Sequence, residues 1–138
     1  MRRALVGAVG FVVAGSCLGA PQAAADDQFC APTSSPHTCY FAAPSGSTSC
    51  ELESDNKIAY CQTFQPPQSV EMDANGALKI CNKPDGCVGN PDGDLNLDYG
   101  RTASRGPFTC QSAPSGVTCT VPSGKGFSIS SAGITPVG

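Results

Sequence analysis

The chain has 138 residues and a formal net charge of −3, from eight basic and eleven acidic side chains. This weakly acidic composition argues against nucleic acid and anionic lipid as partners, because both require a basic surface. There is no tryptophan, while sixteen glycines and twelve prolines leave little material for a large hydrophobic core. Nine cysteines therefore suggest a small domain reinforced by disulfides.

The first 25 residues contain the three parts of a secretory signal peptide. Arg2 and Arg3 provide the positive start, residues 4–14 form an uncharged apolar stretch, and residues 23–25 form an Ala-x-Ala cleavage site. The apolar stretch is shorter than the roughly 20 residues of a membrane helix. We predict cleavage after Ala25 and a secreted mature chain of 113 residues, with no integral membrane span and a net charge of −5.

Cys17 offers a second interpretation of the same segment. The run Ala14-Gly15-Ser16-Cys17 loosely resembles a bacterial lipoprotein box, in which Cys17 would anchor the protein to the outer face of the membrane. The position three residues before such a cysteine is normally Leu or a similar aliphatic residue, whereas here it is Ala14. Secretion is therefore favoured, and lipid anchoring is the alternative.

The mature chain shows short alternating runs broken by turn residues every eight to twelve positions, which is typical of all-β domains. We predict a small disulfide-rich antiparallel β domain, a compact sandwich or barrel-like sheet, over residues 40–138, after an N-terminal extension at residues 26–39. The turn Asp73-Ala74-Asn75-Gly76 is a strong hairpin signal. The predicted strands are Thr48–Glu53, Lys57–Phe64, Ser69–Asp73, Ala77–Asn82, Leu95–Tyr99, Pro107–Ser112, Val117–Val121 and Gly126–Ser130.

The eight cysteines beyond residue 25 are expected to form four disulfides. The tetrapeptide Ala-Pro-Ser-Gly occurs at residues 43–46 and 113–116, and Cys39/Cys50 and Cys110/Cys119 are symmetric about the two copies. Cys50 and Cys61 are likewise symmetric about a turn at Asp55-Asn56, so Cys50 has two candidate partners. The favoured pairs are Cys110–Cys119, Cys81–Cys87, Cys50–Cys61 and, by elimination, Cys30–Cys39; the alternative joins Cys39 to Cys50 and Cys30 to Cys61. With no paired Cys-x-x-Cys motifs and one histidine, we predict no metal site and no cofactor.

No residue is predicted to be catalytic, although His37 and the pair Glu51 and Glu53 are of residue types that catalysis uses. His37 is the single imidazole and lies in a polar stretch, where a solvated loop histidine is the simplest reading. Glu51 and Glu53 point to the same side of a strand and form a carboxylate pair of the kind used in glycoside hydrolysis. Nothing in the sequence indicates that either carboxylate is buried.

The acidic run at residues 90–98 supplies the weak candidates for binding, namely Asp92, Asp94, Asn96 and, just beyond it, Tyr99. Oxygen ligands at alternate positions suit calcium, but Leu97 stands where an EF-hand loop requires glycine. An Asp-rich turn leading into a strand is the preferred interpretation.

In the order and spacing of its motifs, the chain resembles a family of small secreted, disulfide-containing actinobacterial proteins of mycobacterial type, whose function is unknown. The resemblance covers about residues 40–131 and implies a secreted β domain, with no activity and no site residues. Members often carry histidine where this chain has Lys125, and Cys30 and Cys39 look like additions in front of the shared region. The motifs lie at residues 41–46, 78–81, 87–90, 97–100, 106–110, 115–119 and 124–130, with Cys50 and Cys61 between the first two.

These observations favour a non-enzymatic binding or structural module with an unknown extracellular or cell-envelope ligand. One alternative is an inhibitor of an extracellular protease that presents Lys83-Pro84-Asp85. Another is a hydrolase of envelope polymer that uses Asp92, Asp94 and Asp98.

Overall fold

The computed structural model describes residues 30, 35–83, 86–89 and 95–138. Within these residues the chain forms ten strands and no helix, and both of its sheets are antiparallel, which confirms the predicted all-β fold class. The strands are β1 Thr38–Ala42, β2 Thr48–Glu53, β3 Ile58–Phe64, β4 Pro67–Asp73, β5 Leu78–Cys81, β6 Thr102–Arg105, β7 Phe108–Ala113, β8 Gly116–Thr120, β9 Gly126–Ser130 and β10 Gly133–Val137.

The ten strands form two five-stranded sheets of the simplest topology. The first sheet has the order β1-β2-β3-β4-β5 and the second the order β10-β9-β8-β7-β6, so every strand pairs with its neighbour in the chain. Residues 82–101 connect the two sheets. The sheets pack against each other as a β-sandwich, because each has one apolar face that must be removed from water.

The core lies between the two sheets and draws on the inward-facing residues of both. Its largest fully buried side chains include Phe41 and Leu52 from the first sheet and Phe108 and Phe127 from the second. Burying an aromatic or leucine side chain contributes about 1.5–3 kcal/mol relative to leaving it exposed. Few such residues are available in this chain, so the covalent bridges carry a large share of the stability.

Four disulfides are present: Cys30–Cys39, Cys50–Cys61, Cys81–Cys87 and Cys110–Cys119. They are the pairs that the sequence analysis favoured. Two of them join residues directly opposite each other on adjacent strands, with Cα–Cα distances of 4.1 Å for Cys50–Cys61 and 4.0 Å for Cys110–Cys119. These two bridges meet in the core, where the Sγ atoms of Cys61 and Cys119 are 3.9 Å apart.

The two Ala-Pro-Ser-Gly copies form different turns, although the sequence suggests that they are equivalent. At residues 113–116 the loop has two residues, Ala113 lies opposite Gly116, and the cysteines face each other as predicted. At residues 43–46 the loop is longer, because the Ala43 amide donates to the Thr48 carbonyl at 2.8 Å. Cys50 consequently lies opposite Phe41 rather than Cys39, which leaves it free to bridge to β3.

The predicted strand Leu95–Tyr99 is wrong. This segment forms a single parallel bridge, in which Ala42 donates to the Leu95 carbonyl and accepts from the Leu97 amide, at 2.9 and 2.8 Å. The Leu97 side chain is fully buried in the core. The alternating pattern here therefore reflects one buried leucine in a connecting segment that pairs with β1 at a single residue.

Three strands were not predicted, and all three lie at sheet edges. β1 begins at Thr38, so the predicted boundary at residue 40 falls inside a strand. β6 is short and polar, with only Ala103 buried. β10 contains Pro136, which lacks an amide proton and is tolerated in a sheet mainly at an edge.

Several predictions concern residues outside the described part of the chain. These are the signal peptide at residues 1–25, the possible anchor Cys17, the carboxylates Asp92 and Asp94, and Pro84-Asp85 of the proposed inhibitory loop. Among the described residues, no helix has the length and apolarity that a membrane span requires.

Candidate functional site

The outward face of the first sheet carries a row of directly opposed side chains, one from each strand. In order from β1 to β5 they are Tyr40, Glu51, Tyr60, Glu71 and Lys79. Adjacent strands are about 4.8 Å apart, so aromatic and charged groups alternate at that spacing across the sheet. We call this set the transverse row.

A loop from residue 86 to residue 89 stands over one end of this face. The disulfide Cys81–Cys87 ties the loop to the end of β5. The Gly89 amide donates to Gln62 Oε1 at 2.7 Å, and the Tyr60 hydroxyl donates to the same oxygen at 2.6 Å. A covalent bond and hydrogen bonds to β3 therefore hold this wall in place.

The wall and the sheet enclose a groove of about 530 Å³. This volume lies within the range of pockets that bind small molecules, about 300–1,000 Å³. Its lining combines three carboxylates, one lysine and one tyrosine with smaller and apolar residues. The lining residues are Glu51, Glu53, Ile58, Tyr60, Ser69, Glu71, Lys79, Cys81, Gly86, Cys87, Val88 and Gly89. We refer to it as the outer groove.

Glu51 and Glu53 form a hydrogen-bonded carboxyl pair in the outer groove. Burial raises the pKa of Glu51 from 4.5 to about 7, and the hydrogen bond with Glu53 and the repulsion from its charge add to this shift. The pKa of Glu53 is lowered, first by the hydrogen bond from Glu51 and second by that with Asn56. Below about pH 7 the pair therefore holds one proton, which Glu51 carries.

The Glu51 proton predicts a specific dependence of stability on pH. Because the pKa of Glu51 in the folded protein lies above 4.5, the folded state binds more protons than the unfolded chain between about pH 4.5 and 7. The contribution of Glu51 is complete below pH 4.5 and is lost as the pH rises through about 7. The lowered pKa of Glu53 acts oppositely, and its contribution is lost only in more acidic solution.

We expect Glu51→Gln to gain stability relative to the wild type as the pH rises from 5 to 8, since the amide needs no proton. Solvent screening of this half-buried group reduces the size of the gain. Urea unfolding at several pH values measures it. The control Asp98→Asn removes an exposed carboxylate outside the groove and should keep the wild-type pH dependence; an identical response of the two variants would contradict the assignment.

Of the binding candidates predicted from the sequence, Asn96 and Tyr99 are among the described residues, and neither lines the outer groove. Asn96 takes part in the backbone bridge to Ala42. Tyr99 is half exposed and borders a separate pocket of about 330 Å³ between the two Ala-Pro-Ser-Gly turns. Asp98 is exposed, and its carbonyl accepts a hydrogen bond from the Arg101 amide.

His37 lies beside Asp55, with Nδ1 and Oδ1 3.0 Å apart and both side chains about two-thirds exposed. The nearby Ser35 hydroxyl accepts hydrogen bonds from the His37 and Thr38 amides, as in a turn. These contacts hold the residues that lead into β1 in place. Such an exposed pair contributes little to stability, about 0–1 kcal/mol.

Three sulfur atoms, from Cys50, Cys61 and Cys119, lie within 4.8 Å of one another in the core. Metal ions bind cysteine as the thiolate. All three sulfurs are already part of disulfides, so this cluster does not have the ligand chemistry of a metal site.

No protein family, no curated protein and no solved structure matches this chain in sequence or structure comparisons. The outer groove is therefore interpreted from its own residues. Two features of the sequence predict which side chains of the transverse row lie opposite each other. The facing cysteines Cys50 and Cys61 place Glu51 opposite Tyr60, and the hairpin centred on Asn75 places Glu71 opposite Lys79.

Proposed function

We propose that this protein is an exported, non-catalytic binding module that contacts an extracellular or cell-envelope ligand through the outer groove. The observation that carries the proposal is the preformed wall of the groove, which Cys81–Cys87 and the Gly89–Gln62 hydrogen bond hold over the transverse row. A site that is ordered before binding loses less conformational entropy when the ligand arrives. Four disulfides are compatible with an extracellular location, and the signal-like residues 1–25 support export.

The carboxyl pair supports binding rather than glycoside hydrolysis. Glycosidases separate their two carboxyl groups by about 5–5.5 Å or about 6.5–9.5 Å, to accommodate the sugar or a water molecule. Glu51 and Glu53 instead hydrogen-bond to each other, so no reacting group fits between them. The pair is better suited to presenting a tunable negative charge to a ligand.

Blocking the outer groove tests this function. In Val88→Trp an indole replaces a partly buried valine in the groove wall, and it is expected to fill the space between the wall and the sheet. We expect the apparent affinity of the variant for a soluble envelope extract of the producing cell to fall about tenfold. This corresponds to a loss of about 1.4 kcal/mol in binding free energy. Binding to the immobilised full exported protein can be followed by surface plasmon resonance.

The matched control is Gln111→Trp, which places the same side chain at an exposed position on the outward face of the second sheet. It should bind as the wild type does. Equal binding by Val88→Trp and the wild type would overturn the assignment of the outer groove as the contact surface.

A further inference from the structure

We infer that the outer groove recognises a protonated amine on a lysine-type side chain, seated between the carboxylates and tyrosines of the transverse row. The inference deepens the proposed function and rests on it. It starts from the charge of the groove lining, where Glu51, Glu53 and Glu71 face a single cation, Lys79. Lys79 is the cross-strand neighbour of Glu71, whereas the Glu51/Glu53 pair has no cationic cross-strand neighbour among the residues that line the groove.

Tyrosines lie on both strands next to Glu51, and one of them, Tyr60, also lines the groove. Tyr40 on β1 and Tyr60 on β3 are the cross-strand neighbours of Glu51. An ammonium group is attracted to the face of an aromatic ring, and this attraction adds to that of a carboxylate. Carboxylate flanked by aromatic rings favours an amine over a bare metal ion, because a metal ion gains nothing comparable from the rings.

Gln62 is a buried polar side chain directly behind the groove lining. Its side chain is fully buried and its Oε1 accepts hydrogen bonds from Tyr60 and Gly89, but its Nε2 has no partner within the described structure. Leaving a buried donor unpaired lowers stability. Gln62 is two residues from Tyr60 on the same strand face, about 7 Å along β3. The Gln62 contacts Tyr60 and Gly89 both line the groove, so a ligand bound there would perturb the Gln62 side chain.

The charge state of the carboxyl pair couples amine binding to pH. The titratable or charged groups that face Glu51 are Glu53 on its own strand, Tyr40 on β1 and Tyr60 on β3, followed by Glu71 on β4 and Lys79 on β5. With a pKa of about 7, the ionised fraction of Glu51 increases about tenfold between pH 6 and pH 8. A lysine-type amine, with a pKa of about 10.4, stays protonated throughout. The incoming ammonium replaces the proton that the pair shares.

The experiment uses N-acetyl-lysine methylamide as the probe and N-acetyl-norleucine methylamide as its uncharged match. Each is titrated into the isotopically labelled exported protein and followed by NMR. We expect the lysine probe to shift the backbone amides of Glu51, Tyr60 and Glu71 and the Nε2 protons of Gln62. Its affinity should be about three- to tenfold higher at pH 8 than at pH 6.

Two variants separate the roles of charge and fold. Glu51→Gln should weaken binding at pH 8 about three- to tenfold and remove the pH dependence, whereas Asp98→Asn should leave both unchanged. Equal binding of the norleucine compound, or failure of the lysine probe to shift the groove, overturns the amine specificity. The proposed function fails separately, if Val88→Trp keeps its affinity for the envelope extract.

Discussion

Replacing Phe108 with alanine is expected to lower the free energy of unfolding by about 3–5 kcal/mol, the usual range for a buried phenylalanine. Phe108 begins β7, is fully buried and packs in the core between the sheets. The change removes apolar contacts and leaves a cavity that the surrounding strands fill only partly. Since domains of this size are stable by about 5–15 kcal/mol, such a loss is a large fraction of the total. Urea unfolding followed by tyrosine fluorescence measures it.

Phe64→Ala is the matched control, because it makes the same change at a side chain that is 51% exposed. We expect an effect below about 1 kcal/mol, as for most surface substitutions. If both variants lost the same stability, Phe108 would not be a core residue and the packing of the two sheets would be wrong.

The second large effect is expected when the core disulfide Cys110–Cys119 is removed. The double replacement Cys110→Ala/Cys119→Ala removes a bridge between opposite residues of β7 and β8 and should lower the free energy of unfolding by about 2–4 kcal/mol. The loss has two sources. The unfolded chain regains conformational freedom, and the sulfur atoms that pack against Cys61 leave a void. Thermal and urea unfolding under non-reducing conditions measure the change.

The comparison for this prediction is Cys81→Ala/Cys87→Ala, which removes the bridge to the groove wall. Cys81 is only partly buried and the bridge spans the shortest sequence separation, six residues, so we expect the smaller loss of global stability. Its main effect should be on the outer groove, where binding of the envelope extract is expected to fall. The opposite ranking of the two stabilities would contradict the central position of Cys110–Cys119.

Hairpins with strong local signals could be predicted from the sequence. β2 and β9 have the predicted bounds, and Asp73–Gly76 forms the predicted turn, with Gly76 at a φ of +87°. Such segments are specified by neighbours in the chain, namely turn residues and alternation within a few positions. Edge strands such as β10 are different, because only one side is paired and their composition is less constrained.

The transverse row could be predicted in part, whereas the groove could not. Alternation places Glu51 and Glu53 on one face, as the sequence analysis stated, and the cysteine pair fixes their neighbour across the strand. Burial at the outward positions depends on a loop distant in sequence. Gln62 points away from the core and is nevertheless fully buried, because Gly89, 27 residues later, lies against it. The largest cause of the raised pKa of Glu51 is burial, which the local sequence does not reveal.

The arrangement of the disulfides has a consequence for the integrity of the molecule. Three disulfides join cysteines between Cys30 and Cys87, and the fourth joins Cys110 to Cys119. In the described chain, the backbone from residue 88 to residue 109 is therefore the sole covalent tie between the halves. One cleavage there would convert the chain into two separately cross-linked fragments, held together by their apolar faces and by hydrogen bonds such as that from Gln68 to the Ser130 carbonyl. The two halves of the protein are therefore suited to production as separate chains and reconstitution into the sandwich.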